Sequence, residues 1–182
     1  MKFTPTAIPD VILIEPKVFG DPRGFFLETW QSQKFAAAGI DMPFVQDNLS
    51  RSRQGTLRGL HYQIQQPQGK LVWVLAGEIF DVVVDLRRTS PTFGRWTGST
   101  LSGENHAMLW VPPGFAHGFY VLSASADFCY KCTDYYAPEQ ERTIRWDAPE
   151  LNITWPLAPG ETPLLSAKDA AGTNLTTAEV YR

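Results

Sequence analysis

Through the middle of the chain apolar residues recur at every second position, the period of a strand rather than of a helix. Lys70 to Ala76, continuously apolar from Leu71, is one strand candidate, Gly77-Glu78 offers a turn, and Ile79 to Leu86 follows, which predicts a hairpin. In its second strand Phe80, Val82, Val84 and Leu86 alternate with Asp81, Val83 and Asp85. One face is therefore expected in the core and the other at least partly wet. Further strands are expected near Arg95 to Leu101, Ala107 to Val111, Gly118 to Leu122 and Asp127 to Thr133, with a break at Pro112-Pro113-Gly114. Helical signal is sparse. Gln31 to Ala38, closed by Gly39, is the best candidate, and a short helix is expected near Ser166 to Ala171. The Pro-rich tail from Ala148 is expected to wrap around a single all-β domain, residues 1–182, of two antiparallel sheets packed as a jelly roll.

Composition narrows the class of partner. At 182 residues the chain can bury roughly 70% of its unfolded surface as one domain. A net charge of −3 argues against a nucleic-acid or anionic-membrane partner, since both need a basic surface, but leaves room for a small anionic ligand held by a few clustered cations. Met1 to Pro5 contains no apolar signal core and no segment approaches 18 consecutive apolar residues, so a soluble, cytoplasmic protein is expected. Cys129 and Cys132 mimic a redox or zinc pair. On a strand their side chains point to opposite faces, and no second soft-ligand pair exists, so both are read as inert thiols.

Two histidine-centred motifs carry the candidate chemistry: Gly55-Thr56-Leu57-Arg58-Gly59-Leu60-His61-Tyr62-Gln63 and Pro112-Pro113-Gly114-Phe115-Ala116-His117-Gly118-Phe119. A Pro-x-Gly-x-x-His turn feeding a strand resembles the second signature of cupin barrels, and the first motif lies where cupins place metal-binding histidines. Ligand counting speaks against a metal. Gln63 stands at the partner position, Gln68 stands where a carboxylate is expected, and two histidines are too few for a tight site. A lone His61 would ordinarily be a hydrogen-bonded core imidazole. Arg58, Lys70 and Tyr130 weaken that reading, because inward cations are costly unless an anion meets them. Strict alternation would put Arg58 and His61 on opposite faces, so a shared pocket requires a bulge at Gly59 or entry of Arg58 from the strand end. Asp21-Pro22-Arg23-Gly24 with Glu28 reads, taken alone, as a solvated turn. Gln46-Asp47-Asn48 reads as a polar loop, and Tyr135-Tyr136 as surface aromatics or a stacking platform.

These stretches, with Lys70-Leu71-Val72, Ser90-Pro91-Thr92-Phe93-Gly94, Tyr130-Lys131 and Ser166-Ala167-Lys168-Asp169, closely resemble the dTDP-4-dehydrorhamnose 3,5-epimerases of L-rhamnose biosynthesis over nearly the whole chain. The resemblance implies a homodimeric cupin-type jelly roll acting without cofactor or metal on a dTDP-sugar. It implies His61 as base with Asp169 as its partner, Lys70 at the enolate and Tyr130 as acid from the opposite side. It maps Arg23, Glu28, Gln46, Asp47, Asn48, Arg58, His117, Glu141 and Lys168 to substrate-binding stations, with Tyr136 stacking on thymine. Phe19 and Phe26 would cross into a partner's site.

The chemistry explains the residue types. Hydrogens on the carbons flanking a ketone become acidic only when the enolate is stabilised. A base contributes roughly 10²–10⁴-fold, and a donor at the developing oxyanion about 3–4 kcal/mol. Inversion needs the returning proton on the face opposite the base, so two residues share the work. Rival readings are an epimerase of carbon 3 or carbon 5 alone, a ketoisomerase, a non-catalytic sugar-binding cupin and a metallo-cupin enzyme.

Overall fold

The computed structural model describes residues 1–182. Its strands are β1 (Lys2–Pro5), β2 (Ile12–Glu15), β3 (Val18–Asp21), β4 (Gly24–Leu27), β5 (Gln46–Arg53), β6 (Leu57–Gln63), β7 (Lys70–Ala76), β8 (Glu78–Asp85), β9 (Trp96–Ser102), β10 (Met108–Val111), β11 (Phe115–Val121), β12 (Ser125–Cys132) and β13 (Glu141–Thr143). Two short helices, α1 (Ser32–Ala37) and α2 (Ala167–Ala170), lie near the two ends of the chain. One sheet has the order β1-β2-β10-β7-β12-β5 and the facing sheet the order β13-β6-β11-β8-β9, while β3 and β4 form a separate hairpin. This is the jelly roll that the alternation predicts.

The expected β7–β8 hairpin does not form. The two strands lie in different sheets, and Gly77, at φ +83°, carries the chain from one to the other. A Cβ at Gly77 would lie 2.0 Å from the Ser125 carbonyl oxygen, so only glycine fits this corner.

Alternation sorts side chains into three layers. Between the sheets, Val72, Val74, Leu109 and Val111 of one wall meet Ile79, Val83, Phe115 and Phe119 of the other. On the outer face of the five-stranded sheet, Leu57, Leu60, Tyr62, Val82 and Val84 pack beneath Ile144, Ala148, Leu151 and Trp155 of the tail. That cover corrects the expectation of a wet face on β8. Asp81 and Val83 face the barrel interior, Val82 and Val84 face the tail, and all four are fully buried. On the outer face of the other sheet, α1 presses Phe35 against Ile14, Leu71 and Met108.

One irregularity decides the shape of the interior. In the β6–β11 ladder Arg58 pairs with Phe119 and His61 with His117, so three steps on β6 oppose two on β11. The extra residue is a bulge at Gly59, where φ is +130° and the Gly59–Leu60 peptide is cis. A Cβ on Gly59 would lie 2.5 Å from the Gly118 Cα and 2.9 Å from the His117 carbonyl oxygen. Strand crossing at this closeness requires glycine on both sides. The bulge resets the alternation, so Arg58 and His61 both face inward.

Candidate active site

The interior opens between the sheets as two adjoining cavities of about 300 and 230 Å³ that share Asn48, His61, Lys70 and Tyr130 as walls. His61 stands on β6, in one sheet; Lys70 on β7 and Tyr130 on β12 stand in the other. Lys70 lies directly across the ladder from Cys132, two residues beyond Tyr130. Base-type and acid-type side chains therefore confront each other across one space, with an amine beside the second.

Behind His61 is an ordered carboxylate. His61 Nε2 lies 2.6 Å from Asp169 Oδ1, which also accepts the Gly59 backbone N–H at 3.2 Å. Ser166 Oγ donates to Asp169 Oδ2 at 2.6 Å and accepts the Asp169 backbone N–H at 3.1 Å. This reciprocal cap starts α2 and locks its carboxylate in place. Burial alone would raise the Asp169 pKa, but bonds from His61, Ser166 and Gly59 bring it down to about 2. The carboxylate is therefore unprotonated at neutral pH, which assigns the hydrogen to His61 Nε2 and leaves the Nδ1 lone pair available as base. Burial pushes the His61 pKa below its ordinary value; the bond to Asp169 opposes this, while the charges of Lys168 and Lys70 assist it.

Burial likewise lowers the Lys70 pKa, against the pull of Cys132, Glu141 and Asp81, and raises that of the Tyr130 phenol. A phenol held protonated is a competent proton donor. An amine in a part-dry cavity is a strong electrostatic partner for a developing oxyanion.

Around this centre Gln46, Asn48, Tyr136 and Glu141 line the first cavity, and Arg58 and His117 the second. Gln46 donates to Asn48 Oδ1 at 3.0 Å and accepts the Tyr136 backbone N–H at 3.1 Å, which ties the aromatic platform to β5. Arg58 is held by Ser52 Oγ at 2.9 Å. His117 Nε2 is gripped by both oxygens of Asp81, at 2.8 and 3.0 Å. Lys168 sits at the rim, 2.9 Å from Glu141 Oε1.

Three expected stations lie outside this chain's cavity. Arg23 pairs with Asp21 on the β3–β4 hairpin and its side chain is 90% exposed. Glu28 pairs with Lys34. Asp47, on the outward phase of β5 between Gln46 and Asn48, pairs with Lys131. The reason is geometric: β5 is a strand rather than a loop, so neighbours in Gln46-Asp47-Asn48 face opposite ways.

Sequence reasoning passed over Ser166 and Asp81. Ser166 and Asp169 have the Ser-x-x-acid spacing of a capping box, a signal visible in the sequence. Asp81 is marked only by being charged in an apolar run, and β8 shows it fully buried. Gln63, at the metal-partner position of the motif, instead anchors the turn that presents Tyr136. Its amide donates to the carbonyls of Gln66 and Tyr135 and accepts the Ala137 N–H. Cys132 lines the first cavity while Cys129 lies on the other face of β12, as the strand reading requires. His61 and His117 each spend Nε2 on a separate carboxylate, and no three His, Cys, Asp or Glu side chains converge as metal ligands.

Fold and cavity define a cupin-type barrel with a candidate acid–base site between its two walls. The family model for dTDP-4-dehydrorhamnose 3,5-epimerase matches residues 5–177. A Pseudomonas aeruginosa protein named dTDP-4-dehydrorhamnose 3,5-epimerase is 59% identical over 182 residues, covering 100% of this chain and 99% of that one. The crystal structure of a 3,5-epimerase of dTDP-6-deoxy-D-glucose from Legionella pneumophila, in complex with dTDP-4-keto-L-rhamnose, superposes with a TM-score of 0.96 at 57% identity, over 100% of this chain and 97% of that one. ChmJ, a 3′-monoepimerase from Streptomyces bikiniensis in complex with dTDP-quinovose, follows at a TM-score of 0.88 and 35% identity, over 95% of this chain and 87% of that one. The chain belongs to the dTDP-4-dehydrorhamnose 3,5-epimerase family. No helix is long and apolar enough to cross a membrane.

Proposed function

We infer that this protein is an isomerase that inverts carbons 3 and 5 of dTDP-4-dehydro-6-deoxy-D-glucose, giving dTDP-4-dehydro-L-rhamnose, with its own side chains as acid and base. The observation that carries this reading is the placement of His61 and Tyr130 on facing sheets around one space, with Lys70 beside Tyr130.

The ketone at carbon 4 sits with its oxygen toward Lys70. His61 Nδ1 removes the proton from the neighbouring carbon, and the pair of electrons moves into the carbonyl, giving an enolate. Lys70 stabilises that oxyanion, and Asp169 stabilises the imidazolium that forms. Tyr130 returns a proton to the opposite face of the same carbon, which inverts it. Exchange with solvent takes the proton from His61 and returns one to Tyr130, and the second flanking carbon then repeats the sequence. Arg58 supplies the forked donors that suit diphosphate oxygens. Tyr136 stacks on the thymine, and Gln46, Asn48 and His117 contact the substrate from the walls.

The same reading makes the working unit a homodimer. On the β3–β4 hairpin Phe19, Phe25 and Phe26 are 52%, 63% and 69% exposed, an apolar arm suited to a second copy of the chain. Crossing would carry Arg23 with it toward the partner's cavity, which gives a purpose to a cation that this chain's own site does not use. Glu28 and Asp47 act, on this reading, from the edges of the assembled site.

The deciding assay incubates the 4-keto sugar with the protein in deuterated water, then adds the pathway reductase and looks for dTDP-L-rhamnose. Label at carbons 3 and 5 with rhamnose formed is the expected result. Label at only one carbon would redirect the reading to a monoepimerase, and no label would end it.

A further inference from the structure

The carboxylate behind the base is not part of either sheet. Asp169 belongs to α2, a helix of only four residues on a tail that the chain reaches after leaving the barrel at β13. A helix this short has no stability of its own, so its position depends on what holds it. Its Ser166 cap and the Gly59 N–H fix the carboxylate locally. Lys168, the residue immediately before Asp169, reaches the other way and binds Glu141 Oε1 at 2.9 Å.

Glu141 is well placed to receive it. It opens β13, the edge strand that pairs with β6, where Glu141 lies opposite Gln63 and Thr143 opposite His61. Its second oxygen accepts the Tyr136 hydroxyl at 3.0 Å. One carboxylate therefore joins three segments that are remote in sequence: the edge strand beside the base, the aromatic platform and the tail helix. Glu141 is only 16% exposed while Lys168 is half exposed, so the anion is the fixed post and the lysine the movable arm.

We propose that Glu141 and Lys168 are positioning residues, a latch that holds α2 against the barrel and so keeps Asp169 aligned behind His61. This rests on the reading of His61 as the base. The latch differs from a substrate-contact role for the same two residues, which family resemblance alone implies. A lysine that grips the diphosphate governs affinity, whereas a lysine that aligns the base governs turnover. Glu141 governs both, because it also holds Tyr136.

Steady-state kinetics on dTDP-4-dehydro-6-deoxy-D-glucose separate the two. Lys168→Met is expected to lower kcat on the order of fivefold, a size fitting one partly exposed ion pair, with KM within about twofold. Glu141→Gln is expected to lower kcat similarly and to raise KM as well. The charge-exchanged double variant, Glu141→Lys with Lys168→Glu, is expected to recover kcat above either single exchange. A Lys168→Met enzyme with unchanged kcat and a KM raised about tenfold would overturn the latch in favour of substrate contact. Hydrogen–deuterium exchange on the substrate-free protein gives an independent reading. The Ala170 and Ala171 amides, which donate to Ser166 and Ala167 within α2, should exchange faster in Lys168→Met. Unchanged protection there would overturn the latch even if the parent protein proved inactive on this sugar. Inactivity of the parent alone would instead count against the proposed function.

Discussion

Replacing Asp169 by Asn isolates what the buried charge contributes. The amide keeps the size of the carboxyl and one acceptor, which can still serve the Gly59 and His61 donors, while its NH₂ faces Ser166 Oγ, a group able to accept. The change is therefore chiefly the loss of a negative charge beside a developing imidazolium. Two unit charges about 4 Å apart at an effective dielectric of about 20 attract by roughly 4 kcal/mol. A proton about half transferred in the transition state would feel about 2 kcal/mol of this, so kcat should fall between about thirtyfold and about a thousandfold. The same substitution removes an anion that raises the His61 pKa, so the acid limb of kcat/KM should move to lower pH. Stability follows a separate sign. The Asp169 pKa is depressed to about 2 from 3.8, so its contribution is complete above the higher value and is lost as pH falls through the lower one. Discounted for screening, that is about 1 kcal/mol at neutral pH, or roughly 2–4 °C in Tm. Stopped-flow or coupled turnover across pH, with a melting curve, tests all three. A variant whose kcat stays within about threefold of the parent, with the acid limb unmoved, would refute the charged dyad.

Tyr130→Phe should abolish or slow completed inversion yet still exchange at least one ring proton with deuterated solvent, because His61 can remove a proton that nothing on the far wall replaces. Total loss of exchange would mean that base and acid are not separate. Lys70→Met should lower kcat by about 10²–10³-fold, the usual effect of losing one oxyanion donor, in the turnover assay. A drop of less than about threefold would place the oxyanion elsewhere. Gly59→Ala should lower Tm by about 5–10 °C in calorimetry, since the new methyl meets Gly118 Cα at 2.5 Å and the backbone must move. A Tm within 1–2 °C of the parent would show that the bulge yields easily.

How far the sequence speaks depends on whether a signal is local. The strand Lys70–Ala76 is read directly from its short apolar run ended by Gly77, and both helices form inside the expected segments, Gln31 to Ala38 and Ser166 to Ala171. The partner of β7 is another matter. Gly77 looks like a hairpin turn in sequence, but whether the chain folds back or crosses to the facing sheet depends on Ser125 and Ala126, which lie almost fifty residues away. The burial of both faces of β8 from Asp81 to Asp85 is hidden from sequence for the same reason, because the cover on its outer face comes from Leu151 and Trp155 in the tail. In the site, His61, Lys70 and Tyr130 are legible as residue types, yet their convergence hinges on the one-residue bulge at Gly59. Alternation alone places Arg58 on the wrong side. Arg23 and Glu28 do not meet the rest of the site within one copy of the chain.

The location of Asp169 has a consequence for how activity is acquired. During synthesis the walls of the cavity, from Gln46 to Glu141, emerge well before the carboxylate bonded to His61. A chain emerged only as far as Thr143 would lack both that carboxylate and the tail residues, Leu151 and Trp155, that cover the outer face of β8. A protease that clipped the exposed stretch around Gly160 and freed the following segment would take Asp169 away from His61. The cavity walls and the carboxylate behind the histidine thus come from different parts of the chain, and the second arrives last.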